Sequence, residues 1–224
     1  MRERDIGQRL QPPQAIRIVA GGPQSRSIVT VPGSARKDEV VSCAVVLVEG
    51  LSDKLAVEAL AARRGRDLAA QGVSVVPIGG AQSIRRALEH YGPHGLDLRL
   101  AGLVDAGEEG EFRRGLELAG LGTSLLRAEM EELGFFVCEA DLEDELIRAV
   151  GVEAVQRIAA AQGDLASFRT LQKQPEWRGR PVHEQLRRFM GSGGRRKIRY
   201  ATLLVDALDL ARVPRPLYGV LAHV

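Results

Sequence analysis

Cysteine is scarce in this sequence, and its placement excludes a good deal of chemistry. The two cysteines, Cys43 and Cys138, stand far apart and in no C-x-x-C spacing. They form neither a disulfide framework nor a cysteine-based zinc site. Both fall in apolar, strand-like runs, so two buried, reduced thiols are expected, as in a reducing compartment. His90 and His94 are four apart but separated by Gly92-Pro93, which breaks any helix that would place them together on zinc. Aromatics make up 4% of the chain, so the core must rest on Leu, Val, Ile and Ala. No run of about 18 apolar residues exists, which gives no membrane-spanning helix. The opening MRERDIGQRLQPPQ lacks the apolar stretch of a signal peptide, and a cytoplasmic location is the simplest expectation. Lysine is rare as well: Lys37, Lys54, Lys173 and Lys197 stand against 27 arginines. The net charge of +2 argues neither for nor against a polyanionic partner.

What remains is an ordinary globular composition, 45% hydrophobic and 27% charged over 224 residues. That length suits one α/β domain with a smaller appendage. Residues 1–40 hold four of the ten prolines and no steady period, and read as a loosely ordered arm with a short strand at Ser27–Val31. Val40–Val48 is β-branched and almost wholly apolar, as a strand buried on both faces should be. Further strands are expected at Val73–Ile78, Leu98–Val104 and Gly134–Cys138. Helices are expected at Asp53–Arg64, Ser83–His90, Glu108–Leu118 and Asp141–Val150. This alternation predicts β-α-β units and a mostly parallel sheet over residues 41–151. Residues 152–224 read as a helical extension packing on it, with segments near Val152–Gln162, Val182–Met190 and Ile198–Leu210.

In an open parallel sheet, ligands bind beyond the carboxyl ends of the strands. The first strand ends at Glu49, with Asp53 in the next helical turn, and the third ends at Asp105. The fourth is followed by Glu139, Asp141, Glu143, Asp144 and Glu145. Carboxylates gathered at one edge repel each other, and a divalent cation removes that cost. Mg²⁺ takes one or two carboxylates together with waters and substrate phosphates, which suits phosphoryl chemistry. The competing reading makes Asp53 a helix-start charge and Glu139–Glu145 a solvated first turn.

The segment V-L-V-E-G-L-S-D, Val46 to Asp53, resembles the first motif of TOPRIM domains. V-V-P-I-G-G, Val75 to Gly80, is similar to their next conserved segment, and G-L-V-D-A-G-E-E, Gly102 to Glu109, occupies the place of their D-x-D motif. In order and spacing these segments most resemble the TOPRIM half of the OLD (overcoming lysogenization defect) nucleases, over roughly residues 43–210. The resemblance implies a Rossmann-like TOPRIM sheet flanked by helices, dependence on Mg²⁺ or Mn²⁺, and phosphodiester cleavage or transfer on DNA or RNA. It implies that Glu49, Asp53 and Asp105 are metal ligands or general bases. It further implies an acid from D-L-E-D-E-L, Asp141 to Leu146, with Glu143 first choice and Glu145 second. Lys197, in R-R-K-I-R-Y-A, would stabilise charge on the transferring phosphoryl group.

Two departures bear on this. Gly107 replaces the second acid of D-x-D, leaving Glu108 or Glu109 to compensate and the second metal in question. G-x-x-x-x-G-K-[ST] is absent from these residues, so ATP dependence would require a separate ATPase partner. A homodimer is left open. Among basic residues, Arg195, Arg196 and Arg199 beside Lys197 form the densest group, preceded by a glycine-rich, flexible Gly191–Gly194, and are the first choice for nucleic-acid contact. The pairs Arg63-Arg64, Arg85-Arg86, Arg113-Arg114 and Arg187-Arg188 could also contact phosphates, but each alone reads first as a solvated helix face. Gly79 and Gly80 offer backbone N–H groups to a phosphate, or form a plain turn. Two other classes compete with a nuclease: primase-like nucleotidyl transfer, which lacks a visible template or zinc module here, and a non-catalytic binding module.

Overall fold

The computed structural model describes residues 42–224. The expected N-terminal arm, its strand at Ser27–Val31, and the first two residues of the expected Val40–Val48 strand lie outside the described residues. Four strands, β1 (Ala44–Val48), β2 (Val73–Pro77), β3 (Arg99–Val104) and β4 (Phe135–Val137), form one sheet in the order β2-β1-β3-β4. All three pairings are parallel.

The apolar run of β1 explains its central place. Every one of its side chains is buried, and the alternation of a strand sends them to two different cores. Ala44, Val46 and Val48 join one cluster, while Val45 and Leu47 join the other. Burying a Val or Leu side chain contributes about 1.5–3 kcal/mol, so β1 anchors both layers. On the second face lie α2 (Ile84–Tyr91), α3 (Glu109–Leu118) and α4 (Arg127–Glu132), through Ile84, Leu88, Phe112, Leu116 and Met130. The first face carries α1 (Leu51–Arg63), α5 (Leu142–Val150) and the later helices. These are α6 (Val152–Ala161), α7 (Leu165–Lys173), α8 (Val182–Gly191), α9 (Gly194–Ala207) and α10 (Arg215–His223). One continuous apolar cluster runs from β1 and α1 through Leu142 and Leu146 of α5 to Leu186, Leu204 and Leu217.

Arginines fasten this layer. Arg63, in the last turn of α1, donates to the carbonyls of Val205 and Leu208 at 2.5 and 2.9 Å. Arg64 reaches Leu210, and Arg66 reaches Leu221 and Val224. The carbonyls at helix ends have no partner within their helix, and cations there also meet the negative end of the dipole. The Arg63-Arg64 pair, expected on a solvated face, therefore clamps α1 to the end of α9 and the segment after it, and Arg66 adds the end of α10.

The structure departs from the sequence expectation in three other places. The short helices α4, α7 and α10 had no expected counterpart. Helix α9 begins at Gly194, not Ile198, so the stretch expected to be flexible is reduced to Ser192-Gly193 between two helices. Cys43 is exposed, because it precedes β1 at the amino edge of the sheet; Cys138 is buried as expected, and both are free.

Candidate active site at the carboxyl edge of the sheet

Sheet order dictates where a ligand can enter. From β1 the chain steps to β2 on one side, then crosses to β3 on the other, and the crevice at that reversal opens at the carboxyl ends of β1 and β3. Leu47 pairs with Gly102, so Asp105 lies one residue beyond the level of Glu49 on the neighbouring strand. Adjacent strands stand about 4.8 Å apart. Glu49 and Asp105 thus flank the crevice.

Glu49 is half-buried, and its Oε1 is buried without any hydrogen-bond partner. Burial raises its pKa first, and the charges of Asp53 and Glu108 add to that, against Lys197. Its main chain is held from β2: Gly79 and Gly80 both donate their N–H groups to the Glu49 carbonyl, at 3.0 and 3.1 Å. The two amides expected to cradle a phosphate are therefore already engaged, and fix the end of β1 instead. Gly80 has φ 108°, a conformation suited to glycine alone.

Asp53 sits in the first turn of α1, where Oδ2 accepts the Gly50 N–H at 2.9 Å and Oδ1 the Ser52 hydroxyl at 3.2 Å. It is buried, and burial pushes its pKa up while Lys197 pulls it down. Asp105 accepts the Leu142 N–H through Oδ1 at 3.2 Å. Burial, then the charges of Glu49, Asp53 and Asp141, push its carboxyl up to about 8. Glu143, buried on α5, is raised to about 7, mainly by burial, with Lys197 opposing. Lys197 reaches in from α9, its Nζ 3.4 Å from Glu143 Oε2, and its charge is felt at Glu49, Asp53 and Asp105 as well. Glu49, Asp53, Asp105, Glu143 and Lys197 therefore share one electrostatic neighbourhood.

Other expected residues fall outside it. Glu145 gives Oε1 to the Glu139 N–H at 2.8 Å and Oε2 to Arg148 at 2.9 Å, so neither oxygen is free for a metal. Arg148 also binds Asp144 at 2.8 Å and Glu139 at 3.1 Å. Of the acids beside Gly107, Glu109 is tied to Arg113 and Arg127, which hold its carboxyl below the usual range, whereas Glu108 acts on Glu49. Arg195, Arg196 and Arg199 line a hollow of about 500 Å³ with Ser192, Gly193 and Gly194. Arg196 lies over the Phe189 ring and donates to Ser192, and Arg199 pairs with Asp164, leaving Arg195 the most open of the three. A second hollow, about 520 Å³, has Arg127, Arg148 and Arg215 in its wall. Neither hollow includes Glu49, Asp53 or Asp105.

Arg187 on α8, read in the sequence as one of a basic pair on a helix face, has its Nε 2.7 Å from Oδ2 of Asp141. Leu186, Phe189 and Met190 around it are buried, which left position 187 on the flank of a helix face; its pairing with Asp141, 46 residues away, has no local signature.

The donor set is hard oxygen throughout, with one orphaned carboxylate oxygen and several carboxyls pushed up by burial and mutual repulsion. That chemistry fits Mg²⁺ or Mn²⁺. Among the described residues, however, no group of three His, Cys, Asp or Glu side chains is placed to hold an ion as it stands. Asp53 is turned to Gly50 and Ser52, and the ammonium of Lys197 balances Glu143.

A parallel sheet in this order, with a glutamate ending its first strand and an aspartate ending its third, defines a TOPRIM-type domain. Residues 42–106 match the overcoming lysogenization defect protein-like TOPRIM domain family. The chain carries such a domain and resembles the TOPRIM half of OLD proteins. Among solved structures, the C-terminal region of the Xanthomonas campestris pv. campestris OLD protein is similar at 25% identity and TM-score 0.65, covering 82% of this chain and 92% of that one. The C-terminal region of the Burkholderia pseudomallei OLD protein shares the fold at 21% identity and TM-score 0.61, covering 81% and 96%. No curated protein matches the chain. TOPRIM domains of this kind generally bind divalent ions and are of the type found in metal-dependent enzymes acting on nucleic acid. Among the described residues, no helix is long and apolar enough to cross a membrane.

Proposed function

We propose that this chain is a divalent-cation-dependent nuclease that hydrolyses phosphodiesters of DNA or RNA. The observation that carries the reading is the convergence of Glu49 and Asp105 on the crevice between the two central strands, with Glu49 Oε1 buried and unpartnered. Glu49, Asp105 and Glu143 would hold Mg²⁺ or Mn²⁺, and Asp53 would orient the ion or its water after releasing Gly50 or Ser52. Bound there, the ion supplies polarisation of a phosphoryl oxygen and a nucleophile at neutral pH. Lys197 neutralises charge on the transferring phosphoryl group, and in the metal-free protein it offsets part of the acid repulsion. Burial of the acids strengthens each of these interactions relative to water. Arg195 contacts the substrate backbone.

One observation favours a second reading, a non-catalytic nucleic-acid or metal-binding module: the acids form no ready-made ion site among the described residues. Incubation of the pure protein with single- and double-stranded DNA and RNA, in Mg²⁺, Mn²⁺ or EDTA, separates the two. The nuclease reading expects metal-dependent cleavage that Glu49→Gln lowers by at least about 100-fold with the fold intact. Metal binding with no turnover of any substrate would leave the module reading standing and the nuclease reading refuted.

A further inference from the structure

We infer that Arg187 is a substrate-binding residue of this same site, its guanidinium gripping a backbone phosphate of the nucleic acid, and that Asp141 positions it. The inference rests on the reading of the site as one for nucleic-acid phosphodiesters. Three observations support it.

The first is place. Asp141 is the N-cap of α5, its Oδ1 accepting the Asp144 N–H at 2.8 Å, and the next residue, Leu142, donates its N–H to Asp105. The cap of α5 thus joins the end of β3 on one side and Arg187 of α8 on the other. Arg187 in turn feels the charges of Asp141, Asp144 and Asp105.

The second is what the guanidinium leaves unused. Arg187 engages Asp141 through Nε, and its two terminal nitrogens make no hydrogen bond among the described residues. The side chain is 42% exposed, so those nitrogens are open to a ligand. Nearby Arg148 is the opposite case, with three carboxylates around it. A guanidinium held at Nε presents its outer pair of nitrogens as a planar fork, which matches two non-bridging phosphate oxygens.

The third is charge. Glu49, Asp53, Asp105, Asp141 and Glu143 crowd this edge with acidic groups that offer a polyanion no attraction, and Lys197 lies half-buried against Glu143. A phosphate backbone needs a cation at the rim of this edge, and Arg187 provides one that is already oriented. Asp141 has both oxygens occupied, which suits a positioning residue.

The test reads binding, so it does not depend on turnover. Fluorescence anisotropy with a labelled single strand and a duplex, in EDTA across a salt series, compares wild type with Arg187→Gln, Arg187→Lys and Asp141→Asn. Arg85→Gln serves as a control, on α2 across the sheet. Loss of one phosphate contact lowers the slope of log affinity against log salt by about 0.7 for single strands and 0.9 for duplex. Arg187→Gln is expected to show that drop with at least tenfold weaker binding. Arg187→Lys keeps the slope with reduced affinity. Asp141→Asn retains a capping side chain and the slope, with a smaller loss of affinity. Thermal melting checks that each variant is folded. An unchanged slope in Arg187→Gln, a drop equal to that of Arg85→Gln, or no nucleic-acid binding by the wild type would each overturn the inference. Absence of cleavage with an intact Arg187-dependent slope would refute the nuclease reading alone.

Discussion

Two groups of acids leave the carboxyl edge of one sheet within a few residues of each other and meet opposite fates. Glu139, Asp144 and Glu145 surround Arg148, and each is satisfied by that guanidinium. Glu49, Asp53, Asp105 and Glu143 have no arginine partner among the described residues; burial and mutual repulsion raise them, and a single lysine stands among them. Glu143 and Glu145 lie on the same helix two positions apart, so about 200° of rotation separates a carboxylate that serves the site from one that serves the scaffold. Sequence proximity says little about role here; the opposing charge decides it.

The contrast can be broken from either side. Arg148→Gln removes the cation from the satisfied group and strands the Glu145 side chain, which is 7% exposed. The expected loss is about 1–3 kcal/mol in urea denaturation, with cleavage retained; the solvent reach of Arg148 keeps the loss toward the low end. An unchanged midpoint would reduce the group to ordinary screened surface pairs.

The unsatisfied group should leave a signature in pH. The Asp105 carboxyl is raised from 3.8 to about 8 in the folded protein, and Glu143 from 4.5 to about 7. Between the unfolded and folded values the folded state binds more protons, so stability falls as pH rises from about 4 to about 8. In EDTA the melting temperature of wild type should drop by several degrees across that window, at roughly 2–4 °C per kcal/mol. Asp105→Asn should flatten the drop and melt higher than wild type at the alkaline end while losing cleavage. A melting temperature that climbs with pH through this window in EDTA would contradict the assigned repulsion. Added Mg²⁺ should restore most stability at the alkaline end, since it binds the deprotonated acids.

The smallest effect sharpens the link between the strand ends. Gly80→Ala meets no steric neighbour but must hold φ 108°, at a cost of about 1 kcal/mol or somewhat more. We expect a slight fall in stability and a larger fall in kcat, because the strained turn relaxes away from Glu49. Equal loss in nucleic-acid affinity and kcat would argue for direct phosphate contact instead.

Much of this edge could be read from the chain. The buried run of β1, the acids at the ends of β1 and β3, and the strand-helix alternation are local patterns, and each follows from periodicity over a few residues. The arginines could not be read so. Arg63, Arg148 and Arg187 look alike as members of charged helix faces, yet one ties down helix ends, one satisfies three acids, and one stands at the rim of the candidate site. Their roles depend on partners 142 and 145, 3 to 9, and 46 residues away, respectively. The choice between Glu108 and Glu109 was hidden for the same reason, since Arg127 on α4 draws Glu109 aside. Short helices such as Arg127–Glu132 carry too few apolar positions to show a period. The early start of α9 has no signature in the chain, because Gly193 and Gly194 carry none of the usual capping side chains.

The paired hydrogen bonds from Gly79 and Gly80 to the Glu49 carbonyl make the turn after β2 a lever on the crevice. A displacement of that turn would be passed to the main chain of Glu49 through those two bonds, so the geometry of one strand end is set by its neighbour as much as by its own sequence.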